Sequence, residues 1–275
     1  MSDLQDERFE FGKNWRRFLT TLSQERIEIA EGSLVERLPG GLAGKTFLDI
    51  GSGSGLFSLC ARRLGAKVHS FDYDPQSVAC TDELRRRYFE SDPDWTVEKG
   101  SALDREYLEG LGGFDVVYSW GVLHHTGSMW QALENATLPV KPGGQLFVSI
   151  YNDQGFQSRI WLRIKRLYNR LPAFLRLPYT LAIVLPLEAL TAAFYLLQLK
   201  PGEYFRRWTH YQERSLRGMS LWHDHVDWIG GHPFEVAKPE EIFDFYRKRG
   251  FVLEQLRTTQ RWGCNEFVFR RDADR

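Results

Sequence analysis

The sequence is short of cysteine, of methionine and of any excess of one charge. Its three cysteines, Cys60, Cys80 and Cys264, lie far apart and none belongs to a CxxC pair, which argues against a disulfide framework and a thiolate zinc site. Lysine plus arginine and aspartate plus glutamate number 36 each, so no global field draws the chain onto nucleic acid. A basic stripe and an NPPY-like base-flipping signature are also missing, and nucleic acid is not an expected partner. Internal repeats and low-complexity tracts are absent. The stretch from Met1 to Glu7 is acidic and lacks the basic start and apolar core of a secretion signal, so the expected compartment is a reducing cytoplasm. Length and aromatic content are ample: 275 residues bury a core without metal or disulfide support, and nine tryptophans and nineteen phenylalanines leave room for an aromatic-lined pocket.

From Lys45 onward short β-rich runs alternate with amphipathic stretches. Lys45 to Ile50, Lys67 to Asp72, Trp95 to Lys99, Phe114 to Ser119 and Gln145 to Tyr151 read as strands, which predicts an α/β fold with a parallel sheet covered on both faces. Pro142-Gly143-Gly144 reads as the turn that delivers the chain into the fifth strand. The rhythm breaks after Tyr151 and resumes with a helix from Pro239 to Lys248 and strands from Phe251 to Thr258 and Asn265 to Arg270. Three regions follow: N-terminal helices over 1–44, a core over 45–152 and 238–275, and a mostly helical insertion over 153–237.

The segment Leu48-Asp49-Ile50-Gly51-Ser52-Gly53-Ser54-Gly55 closes the first strand and opens a helix, where glycines let backbone N–H groups approach a ligand. Its third glycine follows the second by two residues, whereas the dinucleotide fingerprint spaces them by three. Asp49 suits a ligand bearing an ammonium and a sulfonium and poorly suits a pyrophosphate, so S-adenosylmethionine is the expected cofactor and a nicotinamide-dependent oxidoreductase the weaker reading. Asp72, twenty-one residues after Gly51, ends the second strand where a carboxylate can accept from both ribose hydroxyls. Asp74 is expected to cap the next helix, with Pro75 at its first position. Phe57 and Tyr73 are candidates to pack on the adenine or methionine portion, and Ser101 and Ala102, after Gly100, to offer polar and backbone groups to the base. Trp120 ends the fourth strand and can wall the pocket.

Taken together, Leu48 to Asn152 resembles the class I S-adenosylmethionine-dependent methyltransferases, most closely the small-molecule group that includes the ubiquinone and menaquinone biosynthesis enzymes, and Pro239 to Arg270 is similar more loosely. The resemblance implies a Rossmann-like, seven-stranded sheet with the last strand antiparallel, and a cofactor lying over Asp49, Gly51, Ser52, Gly53, Gly55, Asp72 and the Gly100 turn. Ser101 departs from it, since many relatives carry there an aspartate that bonds the adenine.

Methyl transfer asks the protein for in-line positioning, exclusion of water and, for some acceptors, a base. His124, His125 and Tyr151, at the fourth and fifth strand ends, are the expected candidates on a small-molecule acceptor. The insertion adds His223 and His225 in a polar-aromatic cluster. A metal is not expected there, since alternate residues of a helix point apart and the reaction needs none. Arg261 to Asn265 is a loop that can close over the same pocket. Tyr179 to Leu199 is long enough to span a bilayer, but Pro186 and Glu188 sit at its centre, and an acid there costs about 2.5 to 3.5 kcal/mol. Two apolar helices joined near Pro186 are expected instead, serving cap packing, a homodimer interface, or attachment to the inner face of a membrane. A scaffold that binds S-adenosylmethionine without turnover is the competing function.

Overall fold

The computed structural model describes residues 9, 11–209, 221–260 and 263–273. Seven strands form one sheet: β1 (Thr46–Ile50), β2 (Lys67–Asp72), β3 (Trp95–Lys99), β4 (Phe114–Trp120), β5 (Val140–Tyr151), β6 (Phe251–Arg257) and β7 (Cys264–Arg271), in the order β3-β2-β1-β4-β5-β7-β6. The first five pair in parallel, while β7 runs antiparallel to both β5 and β6. This is the expected methyltransferase-type sheet. The central strands carry near-continuous apolar runs because both faces are covered; Leu48, Ile50, Val117, Leu146 and Val148 are all buried.

The helices packed with this sheet are α1 (Phe11–Thr20), α2 (Gln24–Arg37), α3 (Leu56–Arg63), α4 (Pro75–Tyr88), α5 (Arg105–Gly110) and α6 (Met129–Asn135). They form one compact unit over Phe11–Ser158 and Pro233–Arg275, which also holds the later helix at Pro239–Arg247. Strand order reverses between β1 and β4, so the glycine loop after β1 lies at the switch point, where open α/β sheets bind ligands. Pro142-Gly143-Gly144 lies inside β5 rather than ahead of it. The ladder to β4 jumps from Phe114↔Val140 to Val116↔Gln145, and the extra residues bulge out of an otherwise continuous strand.

The second compact unit, Met1–Glu10 with Arg159–His232, contains most of α7 (Phe156–Arg170), and all of α8 (Ala173–Leu197), α9 (Pro201–Thr209) and α10 (Leu221–Gly230). The two apolar helices expected to meet near Pro186 are one helix of 25 residues that passes both Pro178 and Pro186. Each proline leaves the carbonyl four residues earlier without its helical donor, and Phe174 and Ala182, which carry those carbonyls, are exposed residues. The inner side of α8 presents Thr180, Val184 and Glu188.

Candidate active site

The loop after β1 is pinned from one side by β2: the N–H groups of Gly51 and Ser52 both donate to the Phe71 carbonyl, at 2.9 and 3.0 Å. Two of its glycines are obligatory for different reasons. Gly51, at φ +80°, faces Val122 so closely that a Cβ would lie 2.3 Å from it. Gly53, at φ +55°, faces the Trp15 ring of α1, which a Cβ would meet at 3.1 Å. Trp15 therefore lies over the glycine loop, and α1 is held there by its Gly12 N–H, which donates to Asp74 Oδ2 at 3.0 Å. The other oxygen of Asp74 caps α4 through the Gln76 N–H at 2.9 Å, with Pro75 at the first helical position.

Asp72 faces the same loop. Its Oδ2 accepts from the Gly53 N–H and its Oδ1 from the Asp74 N–H, both at 2.9 Å. Burial pushes its carboxyl up to about 6, against the pull of those two backbone donors. Each oxygen retains a lone pair for a further donor, which suits a pair of ribose hydroxyls. Asp49 lies deeper, only 2% exposed. Its Oδ2 accepts from Ser58 Oγ at 2.5 Å, Ser58 accepts from Ser70 at 2.8 Å, and Ser70 accepts from the Trp95 indole at 3.0 Å. Burial raises the Asp49 carboxyl to about 7, with the Ser58 bond opposing and nearby Asp72 adding to the rise. Asp49 thus supports the loop from beneath, and its charge reaches the ligand side only through it.

At the end of β3 the Gly100 N–H donates to the Asp72 carbonyl at 3.1 Å, which draws the Gly100 turn beside β2. Ser101 Oγ accepts from Leu103 N–H at 3.2 Å, and the Ala102 carbonyl from Asn135 Nδ2 at 3.0 Å. Phe57 packs on Tyr118 with ring centroids 5.3 Å apart, whereas Tyr73 is exposed beside Lys99. Trp120 is fixed by its indole N–H to Glu266 at 3.1 Å, and Glu266 pairs with Arg37 at 3.1 Å.

A 3₁₀ turn over Leu123–His125 follows β4. His124 is 0% exposed and stacks on Tyr151 of β5 at 4.0 Å between centroids; Tyr151 in turn packs on Phe234 at 5.2 Å. His125 is half-buried, and its Nδ1 lies 2.5 Å from the Pro233 carbonyl. A carbonyl only accepts, so Nδ1 carries the proton and Nε2 is the basic nitrogen. Glu235 secures this corner: its backbone N–H donates to the His124 carbonyl at 3.0 Å, and its carboxylate accepts from the Met129 N–H at 3.0 and 3.1 Å at the start of α6.

Of the insertion's two histidines, His225 belongs to a polar cluster within its own unit: its Nε2 lies 3.1 Å from Glu188 Oε1, and Arg207 donates to Glu188 Oε2 at 2.8 Å. The side chain of His223 and residues Arg261 and Trp262 lie outside the described residues. Among the described residues no group of three His, Cys, Asp or Glu side chains is arranged to hold a metal.

The methyltransferase domain family matches residues 22–223, well over half of the sequence. The chain belongs to the methyltransferase family. Among curated proteins, the methyltransferase is 34% identical over 121 residues to a ubiquinone biosynthesis O-methyltransferase of Pseudomonas paraeruginosa, covering 41% of this chain and 47% of that protein. It is 33% identical over 133 residues to the one of Cronobacter sakazakii, covering 48% and 51%. The chain thus spans about half the length of the curated relatives it matches. Its fold resembles the magnesium protoporphyrin IX methyltransferase of Synechocystis PCC 6803, solved with bound SAH, with a TM-score of 0.54, 15% identity and 94% of each chain covered. At that identity the likeness is one of fold. Family and fold favour the expected methyltransferase over a nicotinamide-dependent oxidoreductase.

Within the methyltransferase, Gly51, Ser52, Gly53, Gly55 and Asp72 come together with the Gly100 turn, and His124, His125 and Tyr151 form a second group. Sequence reasoning missed Trp15, the second bond of Asp74, and Glu235. All three act through tertiary contacts that no local pattern announces: Trp15 with Gly53, Asp74 with Gly12, and Glu235 with Met129.

Proposed function

We propose that this methyltransferase moves a methyl group from S-adenosylmethionine onto a hydroxyl oxygen of a small-molecule acceptor, with His125 taking the acceptor's proton. The observation that carries the cofactor half is the 2.9 Å bond from the Gly53 N–H to Asp72 Oδ2, which joins the glycine loop to an acidic strand end with lone pairs to spare. These residues fit the cofactor: the loop has no side chain where the ligand backbone must approach, and two carboxylates stand near a cation. When bound, the cofactor supplies a methyl group already activated by its sulfonium.

Everything else falls to the chain. Asp72 holds the ribose hydroxyls, Asp49 adds its field from beneath the loop, and Phe57, Tyr73, Ser101, Ala102 and Trp120 are the proposed walls around the cofactor. His125 acts through Nε2, which would take the hydroxyl proton as the acceptor oxygen gains the methyl group and then release it to solvent. Tyr151 orients the acceptor beside it, and the buried His124 backs the Tyr151 ring. The name O-methyltransferase borne by the curated relatives supports oxygen as the accepting atom. The chain leaves the core after β5 and rejoins it at the Asn152↔Ala237 bridge, both beside Tyr151. A cytoplasmic location fits these assignments.

The test is calorimetry with the demethylated cofactor, followed by single-turnover transfer to a panel of phenols, thiols and amines. His125→Ala should lower the rate to a phenol by about 100-fold or more, with little change in cofactor affinity. Full turnover by that variant, or transfer to thiols or amines alone, sinks the assignment.

A further inference from the structure

The insertion concentrates charge that the whole chain does not have. Residues 156–209 hold nine lysines and arginines against two glutamates, a formal charge of +7 in a protein whose total is zero. Neither glutamate opposes a partner outside: Glu188 is buried with Arg207 and His225, and Glu203 is half-exposed beside Lys200 at 3.7 Å.

The positive charge is also ordered. On α7, Arg159, Arg163, Arg166 and Arg170 follow one another at spacings of four, three and four, so they form one row along the helix, and all four are exposed. Phe156, Ile160 and Leu167 stand exposed next to that row, while Trp161, Lys165 and Tyr168 fill the opposite, buried side. On α8, which is long and apolar enough to cross a membrane, the side away from Thr180, Val184 and Glu188 presents Leu185, Leu190, Ala193 and Leu197 to solvent, with Leu190 69% and Leu197 84% exposed. Phe205 and Trp208 on α9 are exposed beside Arg206. Apolar side chains at this density on a soluble surface mark a contact, and a row of arginines beside them selects an anionic one.

We propose that the Arg159–His232 unit docks on the surface of an anionic phospholipid bilayer, with the outer side of α8 lying in the acyl boundary and the arginine row of α7 on the headgroup phosphates. Arginine forks bind phosphate in two bonds at once, and an aliphatic or aromatic neighbour enters the layer beneath. The buried Glu188 keeps α8 parallel to the surface, since a spanning path would strip its ion partners and carry the acid through hydrocarbon. This goes beyond the proposed reaction and does not depend on it.

The experiment is co-sedimentation of the full chain with vesicles of phosphatidylcholine alone and with one-third phosphatidylglycerol. Binding is expected to the anionic vesicles, and to fall as salt rises from about 0.1 to about 1 M, where the screening length shortens from about 10 to about 3 Å. The double variant Arg163→Gln/Arg166→Gln should partition about 25-fold less, from about fivefold per basic side chain. Leu190→Gln/Leu197→Gln should weaken binding at least about tenfold. Both pairs are exposed, so the helical signal and melting temperature should hold. Equal binding to neutral and anionic vesicles, or indifference to both pairs of substitutions, overturns the proposal. So does a dimer that Leu190→Gln/Leu197→Gln dissolves in a chain that ignores vesicles, which would make a second copy the occupant. Retention after alkaline carbonate extraction would make α8 a spanning helix and overturn it as well.

Discussion

Removing the Asp72 carboxylate takes away two backbone bonds together with the ribose acceptor, because Gly53 and Asp74 already donate to it. Asp72→Ala should therefore weaken binding of the demethylated cofactor by about 1 to 3 kcal/mol, read by calorimetry. An unchanged affinity would mean that the cofactor does not use this strand end. The raised carboxyls of Asp49, about 7, and Asp72, about 6, also set a pH dependence. Both lie above the unfolded value near 3.9, so in the ligand-free protein their contribution to stability is complete below about pH 4 and is lost as pH rises through 6 and 7. The melting temperature without cofactor should fall between about pH 4 and pH 7. Cofactor affinity should rise over the same window, since a cationic ligand favours the ionised carboxylates, and Asp72→Asn should flatten the part near pH 6. Asp72 was legible in the sequence from its place at a strand end, and so was the capping role of Asp74. Trp15 was not: its proximity to Gly53 depends on where α1 packs, and nothing in the spacing of Phe9, Phe11, Trp15 and Phe18 says which surface that helix covers.

At the level of elements, the corner that holds His125 hangs on Glu235, whose burial raises its carboxyl while the Met129 N–H pulls it back. Glu235→Ala should cost about 1 kcal/mol as a lost helix cap. It should also slow single-turnover transfer, because the 3₁₀ turn carrying both histidines loses its brace, with cofactor affinity held; loss of affinity in parallel would show that the turn belongs to the cofactor half. The strands were legible because apolar runs of five or six residues bounded by Gly, Asp and Pro leave few alternatives. Two prolines misled in opposite ways. Pro142 reads as a turn but sits in a bulge of β5 with strand on both sides, and Pro186 reads as a break but lies on the exposed side of α8, which continues past it. A one-dimensional pattern does not say which side of a helix a proline will face.

For the molecule as a whole, His225 lies in the Arg159–His232 unit. It joins Glu188 and Arg207, so Glu188→Leu should leave a half-buried arginine and histidine without their acid and destabilise the Arg159–His232 unit by about 1 to 3 kcal/mol. Hydrogen exchange should show that loss in α8, α9 and α10, with binding of the demethylated cofactor intact; a loss spread evenly over the sheet would mean that the two units fold as one. His225→Ala should follow the same pattern more mildly. The insertion was legible as a break in the strand rhythm, but not as a unit with its own ion cluster, because Glu188 and His225 are thirty-seven residues apart and neither sits in a motif. One feature of the core bears on how such a chain came to exist. The Ala237 N–H donates to the Tyr151 carbonyl at 3.0 Å and the Asp153 N–H to the Ala237 carbonyl at 3.1 Å, so the residues on either side of the long excursion are bonded neighbours. A gene encoding the sheet enzyme can gain or lose what lies between Arg159 and His232 with the register of β5 and the Glu235 brace undisturbed, since lengthening a closed loop adds only about 0.6 kcal/mol per doubling. The junction is a splice point: what is threaded through it can be exchanged while the sheet keeps its register.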